Sequence, residues 1–314
     1  MTEDLVLPVP DTLPAMYLVP ARMPEPQALR TIVAAVEARV AEPLRRLTTG
    51  LLATGAVMVA RRLPDELPFL HALRPAANDL PPEQAAAANA APEYIAFAAL
   101  LPIRPGPVHE WATRAAAGAL AATLGRPVVD AFCQRAFCAE DALASLPGAP
   151  ELADVGGGFR LADWVIVHRE GPVLATHGLG RFGLPELKVS DVPAELQSLW
   201  LLALNGVGHR LLELLRCELR RGGQTPFVQV PAELAIRRAD IGNAYGVDMD
   251  GGGALPVRLA LDPAVTDQRT SYLTLHAPDD TAPAEHRAAL HAALLETPFS
   301  KTVLSKTALS RTAR

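Results

Sequence analysis

The run from Thr176 to Leu187, THGLGRFGLPEL, is the densest cluster of chemistry-bearing side chains in this 314-residue chain. His177, Arg181 and Glu186 supply an imidazole, a guanidinium and a carboxylate, which could converge on a small ligand if the intervening turns brought them together. Arg237, Asp240 and Tyr245 could join them from a loop distant in sequence. The same run also has a purely structural reading. Gly178, Gly180 and Gly183 permit positive φ and Pro185 fixes φ, so the chain can reverse sharply between strands. In letters these glycines satisfy G-x-G-x-x-G, but that fingerprint holds phosphate between a strand and a helix, and here strands lie on both sides.

Other constellations carry less. Serine occurs seven times, never as G-x-S-x-G, which removes the strained elbow of a serine hydrolase. Cys133 and Cys138 form a C-x4-C pair without a second Cys/His pair to complete a zinc set, so two free thiols are expected and no metal. Cys217 reads as a small core residue on a helix. His286 and His291 are five apart, off a common helix face. Asp248 and Asp250 precede three glycines but lack the later oxygen ligands of a calcium loop. His109 and Glu110 open a helix without a second histidine, and Asp163 and His168 have opposite strand parity, so neither gives an acid/base pair. No cofactor is expected.

Composition bounds the partners. Half of the residues are hydrophobic and the formal net charge is -5, which suits a globular chain with one large core or two modest ones and disfavours the clustered cations of a nucleic-acid grip. Three cysteines make no disulfide framework, the N-terminus lacks the pattern of a secretory signal, and no apolar run approaches the ~20 residues of a membrane span; a soluble, cytoplasmic protein is expected. Arg, Ala and Pro abound while Lys occurs at 188, 301 and 306 alone, a bias of GC-rich bacterial coding sequence.

Hydrophobic periodicity gives the elements. A strand at 15–21, a helix carrying Leu29, Ile32, Val33, Val36 and Val40, and a strand at 55–60 make one β-α-β unit. A proline-punctuated connection with a short helix spans 63–92. A second unit follows: a strand from Glu93, a helix ending at Gly125 and a strand at 126–132, either a divergent duplicate of the first or an unrelated excursion. Beyond a helix at 139–146 come consecutive strands over 159–189, and a long helix over 194–220 with Leu196, Leu199, Trp200, Ala203, Val207, Leu211 and Leu214 on one stripe, packed on a sheet with Trp164 and Val173. Gly206 and Gly208 within it imply close packing or a kink. Strands at FVQVP, LPVRLAL and SYLTLHA and helices at IRRADIGNAYG and AEHRAALHAALLE complete an α+β fold of mixed, largely antiparallel sheets. The expected domains are 1–85, an N-terminal β-α-β subdomain; 93–299, the main α+β domain; and 300–314, a basic tail. That tail repeats SKTVL, SKTAL, SRTAR with four basic and no acidic residues, and reads as either a passive flexible end or a docking peptide.

The block Thr176 to Leu187, with Trp164 before it and the long helix after Pro193, resembles uncharacterised bacterial α+β domains carrying a T-x-G-L-x-x-F-G-x-P-E-L pattern, over about 93–299. Some of these are similar to immunity or adaptor proteins. The resemblance implies a non-catalytic protein that binds another protein, with oligomerisation open. The alternative is an enzyme or small-ligand-binding protein with its site around 176–187 and 237–245.

Overall fold

The structure, a computed structural model, describes residues 4–23, 25–67, 80–148, 159–222, 226–249, 251, 253–262, 271–279, 281–282, 285–286 and 288–290. The fold is α+β, and among the described residues the sheets are antiparallel but for one pairing. The described residues form two compact units, one within residues 12–148 and another in which residues 4–11 join residues 159–290. The division expected between 85 and 93 therefore lies inside the first unit. The tail at 300–314 and the second half of the helix expected at 284–296 lie outside the described residues.

After β1 (Leu5–Pro8), which belongs to the later unit, the first unit runs β2 (Thr12–Val19), α1 (Ala28–Arg39), α2 (Leu44–Ala53), β3 (Val57–Arg62), α3 (Pro82–Asn89), β4 (Tyr94–Pro102), α4 (Val108–Leu124), β5 (Val128–Asp130), β6 (Arg135–Phe137) and α5 (Ala139–Ala144). Its sheet order is β3-β4-β2-β5-β6, every neighbour antiparallel. Strands β2 and β3 are therefore parallel with β4 inserted between them, and β4 and β5 are parallel with β2 between them. The two expected β-α-β units are thus interlocked, in the β-α-β-β-α-β order of a split β-α-β, ferredoxin-like sheet. This interlocking is why no boundary falls at 85–93, since β3 and β4 on either side of it are sheet neighbours.

Helix α4 is the centre of this unit, with every residue from His109 to Ala121 buried. Its alanines and Gly118 let neighbours approach closely: a Cβ on Gly118 would sit 3.2 Å from Cβ of Ala142 on α5. Gly125 ends it in the left-handed conformation at φ 62°, as a C-terminal glycine commonly does.

The second unit pairs β1 with β10 (Phe227–Val230) and builds a six-stranded sheet in the order β11 (Glu233–Arg237), β12 (Ala254–Leu261), β13 (Tyr272–His276), β9 (Glu186–Val189), β8 (Val173–His177), β7 (Ile166–Glu170). Alternation puts Leu234, Ile236, Leu255, Val257, Leu259, Leu273, Leu275 and Leu187 in the core. Against it lies α6 (Gln197–Gly222), one continuous helix preceded by a 3-10 turn at Ala194–Leu196. Leu196, Leu199, Trp200, Ala203, Val207 and Leu211 are buried as the stripe requires, and the helix touches β8, which contains Val173. Trp164 is buried too, but it follows the 3-10 turn Leu161–Asp163 and stacks on Phe159. The stretch expected as one short helix at 236–246 is a strand through Arg237 and then α7 (Arg238–Tyr245). Helix α2, with Leu44, Thr48 and Leu52 inward, has no counterpart in the sequence reading.

Gly206 and Gly208 prove to be contact points. A methyl on Gly206 would lie 2.6 Å from Cγ1 of Ile241 on α7, and one on Gly208 would lie 3.0 Å from Leu161. Gly50 in α2 has nothing within 4 Å of that position. Helix propensity alone favours alanine over glycine by about 1 kcal/mol at either site. We expect Gly50→Ala to stabilise its unit by about 0.5–1 kcal/mol, and Gly206→Ala to destabilise its own by about 1–3 kcal/mol through overpacking. Urea unfolding of both variants reads the two signs, and a gain at Gly206 like that at Gly50 would show that α6 and α7 are not in close contact there.

Candidate functional site

The turn at 176–187 is organised by one buried carboxylate. Strand β8 ends at His177, Gly178 turns the chain at φ 117°, a 3-10 turn covers Leu179–Phe182, and Gly183 at φ 79° leads through Pro185 into β9. A side chain at either positive-φ position would strain the backbone, so glycine is required there. Glu186 opens β9, only 6% exposed, and reaches back into this turn. Its Oε1 accepts from the N–H groups of Gly178 at 2.8 Å and Gly180 at 3.2 Å, and its Oε2 accepts from Thr176 Oγ1 at 2.7 Å. Thr176 Oγ1 in turn accepts from Leu187 N at 2.7 Å, joining β8 to β9. Burial pushes the Glu186 carboxyl above its ordinary range while these donors pull it down, and burial has the larger effect. Across the strand pair, Tyr272 faces Glu186, and burial, with the Glu186 charge, raises its phenol as well.

The other sequence candidates take separate places. His177 is half-buried, its ring centroid 4.3 Å from that of His168 on β7. Thr176, the residue bonded to Glu186, precedes His177 on the strand, and successive strand residues point to opposite faces. Arg181 is fully buried in the 3-10 turn. Arg237 is exposed and closes the N-terminus of α7, its backbone N–H donating to Asp240 Oδ2 at 2.8 Å. The Tyr245 hydroxyl accepts from Asn205 Nδ2 at 2.8 Å, and burial drives its phenol far upward. Glu186, Asp240 and Tyr245 thus hold local structure together: a turn, a helix start and the α6–α7 contact. Of the thiols, Cys133 is buried, and Cys138 donates to Asp141 Oδ2 at 2.9 Å, burial first and that bond second raising its pKa. Among the described residues no three His, Cys, Asp or Glu side chains form a metal-holding group.

Two features escaped the sequence reading. One is a buried polar network on α4. The Tyr17 hydroxyl donates to Glu110 Oε2 at 2.5 Å and accepts from Arg114 Nε at 3.1 Å. Arg114 Nη1 donates to Ser145 Oγ at 2.9 Å, and its Nη2 lies 3.5 Å from Asp130 Oδ2. Asp130 Oδ1 receives the N–H groups of Phe132 and Cys133. The i, i+4 spacing of Glu110 and Arg114, four residues apart on a helix rich in alanine, was the available signal.

The other feature is apolar and exposed. In the ladder β3-β4-β2, Met58 stands opposite Ala98 and Ala98 opposite Met16, while Leu100, two residues along β4, stands opposite Pro14. These five therefore share one face of the sheet. Met58 is 55% and Leu100 60% exposed, and Met16 and Ala98 are half-buried. Further along the same face, Leu18, Ala96 and Val129 are covered with Leu67 and Ala91. The uncovered stripe is thus one end of an otherwise packed surface, with Arg62 on the same side of β3.

Compared with protein-family models, with curated proteins and with solved structures, the chain finds no match to any of them. Among the described residues no helix is long and apolar enough to cross a membrane.

The Glu186 geometry makes a two-part expectation. Glu186→Gln keeps an oxygen for Gly178 and Gly180 and turns an N–H toward Thr176 Oγ1, which can accept it. Glu186→Ala leaves buried donors unpaired and should cost about 2–5 kcal/mol. A carboxyl whose folded pKa is raised binds protons more readily folded than unfolded, so it favours the fold at low pH and loses that effect as pH rises from about 4.5 through the folded value. The wild type should therefore lose stability relative to the Gln variant over that interval, as read by urea midpoints against pH. Equal midpoints for the Ala and Gln variants would remove Glu186 from its structural role.

Proposed function

We propose that this chain is a cytoplasmic protein-binding protein of the immunity or adaptor kind, and that it engages its partner through the open face of the β3-β4-β2 sheet. The observation that carries this reading is the in-register stripe of Met58, Ala98, Met16, Leu100 and Pro14, with two large side chains more than half exposed. Single exposed apolar residues are ordinary on soluble proteins; contiguous ones on a rigid sheet face, rimmed by charge, are what partner surfaces use.

The stripe suits an apolar surface on another protein. Unbranched methionine adapts its shape to a partner, while leucine offers a fixed knob. Arg62, four residues from Met58 on the same face of β3 and opposite Tyr94, supplies a cation toward the covered end, and Arg61, paired at 2.6 Å with Glu93, marks the adjoining edge. Strand β3 is an edge strand of its sheet, so a partner on this face can extend past it without meeting further structure of the sheet.

The double variant Met58→Asp, Leu100→Asp places two charges in the stripe. It should unfold at the wild-type urea concentration within about 0.5 kcal/mol, since exposed positions away from the core tolerate change. Affinity capture of partners from the source cell, quantified by mass spectrometry, should fall at least tenfold for this variant and stay unchanged for Arg46→Ala on α2. Recovery of the same proteins at the same yield by the double variant would overturn the proposal.

A further inference from the structure

Helix α6 carries a second, polar face. Asn205, His209, Glu213 and Arg216 recur at i, i+4, i+8 and i+11, within one side of a 3.6-residue helix. Asn205, His209 and Arg216 are all buried, and Arg216 is 1% exposed. Its Nη1 donates to Glu213 Oε1 at 2.9 Å, and its guanidinium lies 4.6 Å from the ring centroid of Phe159. Its Nε and Nη2 find no acceptor among the described residues. Nδ1 of His209 and Oδ1 of Asn205, the latter an acceptor, likewise have no hydrogen-bond partner among the described residues.

The pattern on Arg216 is chemically specific. Nε–H and the Nη2 N–H beside it form the side edge of the guanidinium, the pair of parallel donors that matches two oxygens of a carboxylate or phosphate. A buried guanidinium held by a single carboxylate is costly, and a donor pair left without acceptors adds to that cost. Its ionic partner among the described residues, Glu213, lies at Nη1 and has a side chain 28% exposed. Along this stretch of the helix, residues 205–221 hold Arg210, Arg216, Arg220 and Arg221 against Glu213 and Glu218, with Arg221 paired to Glu218. Burial pulls the Arg216 pKa downward, the bond and charge of Glu213 oppose it, and the Arg220 charge adds to the lowering. Burial above all favours the neutral form of His209 by lowering its pKa, with Arg216 and Arg210 acting the same way against Glu213 and Asp240. A neutral imidazole can donate or accept without adding charge.

We propose that the side edge of Arg216 is the anchoring position of a small-oxyanion site on this face of α6, taking a carboxylate or phosphate group in two parallel N–H···O bonds. Phe159 covers the guanidinium plane and fixes it, Glu213 holds the opposite nitrogen, and His209 presents a neutral polar group two turns toward the N-terminus. The site is independent of the sheet face proposed for the partner and lies in the other unit.

The test titrates the full chain with inorganic phosphate and, separately, with succinate, each against sodium chloride at equal ionic strength. At ten times its Kd, the oxyanion that binds should raise the thermal midpoint by about 3 °C over chloride. Arg216→Lys keeps the charge without the paired donors and should weaken binding at least tenfold, and Arg216→Met should abolish it. Should either variant fail to fold, the wild-type protein still decides: the Arg216 Nε–Hε resonance, followed by 15N NMR, should shift in a saturable way with the same Kd. An Nε–Hε resonance unmoved by both anions, or equal stabilisation of wild type and Arg216→Lys, would overturn the site.

Discussion

Removing a carboxylate from water costs several kcal/mol after all relaxation, and a fold that buries one must return that free energy in hydrogen bonds from fixed donors. Glu186 sets this constraint on the second unit. The two N–H groups that face it are available because Gly178 lies at φ 117°, a conformation that turns successive amides inward. Thr176 completes the set and bonds onward to Leu187, so the carboxylate, the turn and the β8–β9 pairing form one cooperative element. Strand β13 then joins β9 in parallel, with Tyr272 beside Glu186, and brings β12 and β11 into the same sheet. The first unit solves the same problem with opposite sign: Arg114 is buried beneath the sheet, and Tyr17, Ser145 and Asp130 surround it.

Close packing enforces these arrangements. On α6, glycine is present where Ile241 and Leu161 press against the helix, while on α4 a run of alanines and Gly118 admits α5. Small residues let backbones approach until interior polar groups are within hydrogen-bonding reach, as with Asn205 and Tyr245 across the α6–α7 contact. Arg216 departs from this economy, because its paired donors are buried without acceptors among the described residues. Most reactive-looking side chains in the sequence are spent on architecture, and the departures from that rule are a polar edge on α6 and an apolar stripe on the β3-β4-β2 sheet.

The α+β class, most strands and the long helix were legible because their apolar residues repeat at a period of two or close to four. Helix α2 was not, since LRRLTTGLLA mixes turn formers with an amphipathic pattern short enough to pass as a connection. Strand β11 merged with α7 in the reading because Ile236 suits either, and what divides them is a cap made by Asp240 three residues on. The interlocking of the two β-α-β units is invisible to periodicity, which reports each strand but not its neighbour. At the candidate site, Glu186 was legible as a chemical group but not in its role, because that role depends on amides brought in by the turn. Arg216 in ELLRCELRR was not singled out, although its i, i+4, i+8, i+11 register with Asn205, His209 and Glu213 was there to be read.

The central claim is that the polar block at 176–187 is interior architecture organised by Glu186, which leaves recognition to other surfaces. Hydrogen exchange of the Gly178 and Gly180 amides tests it directly, since both lie in a turn that would exchange quickly if it were a solvated loop. The account predicts protection of both amides approaching that of the β8 strand amides at 173–177. Exchange at the rate of an open loop, with β8 itself protected, would contradict it.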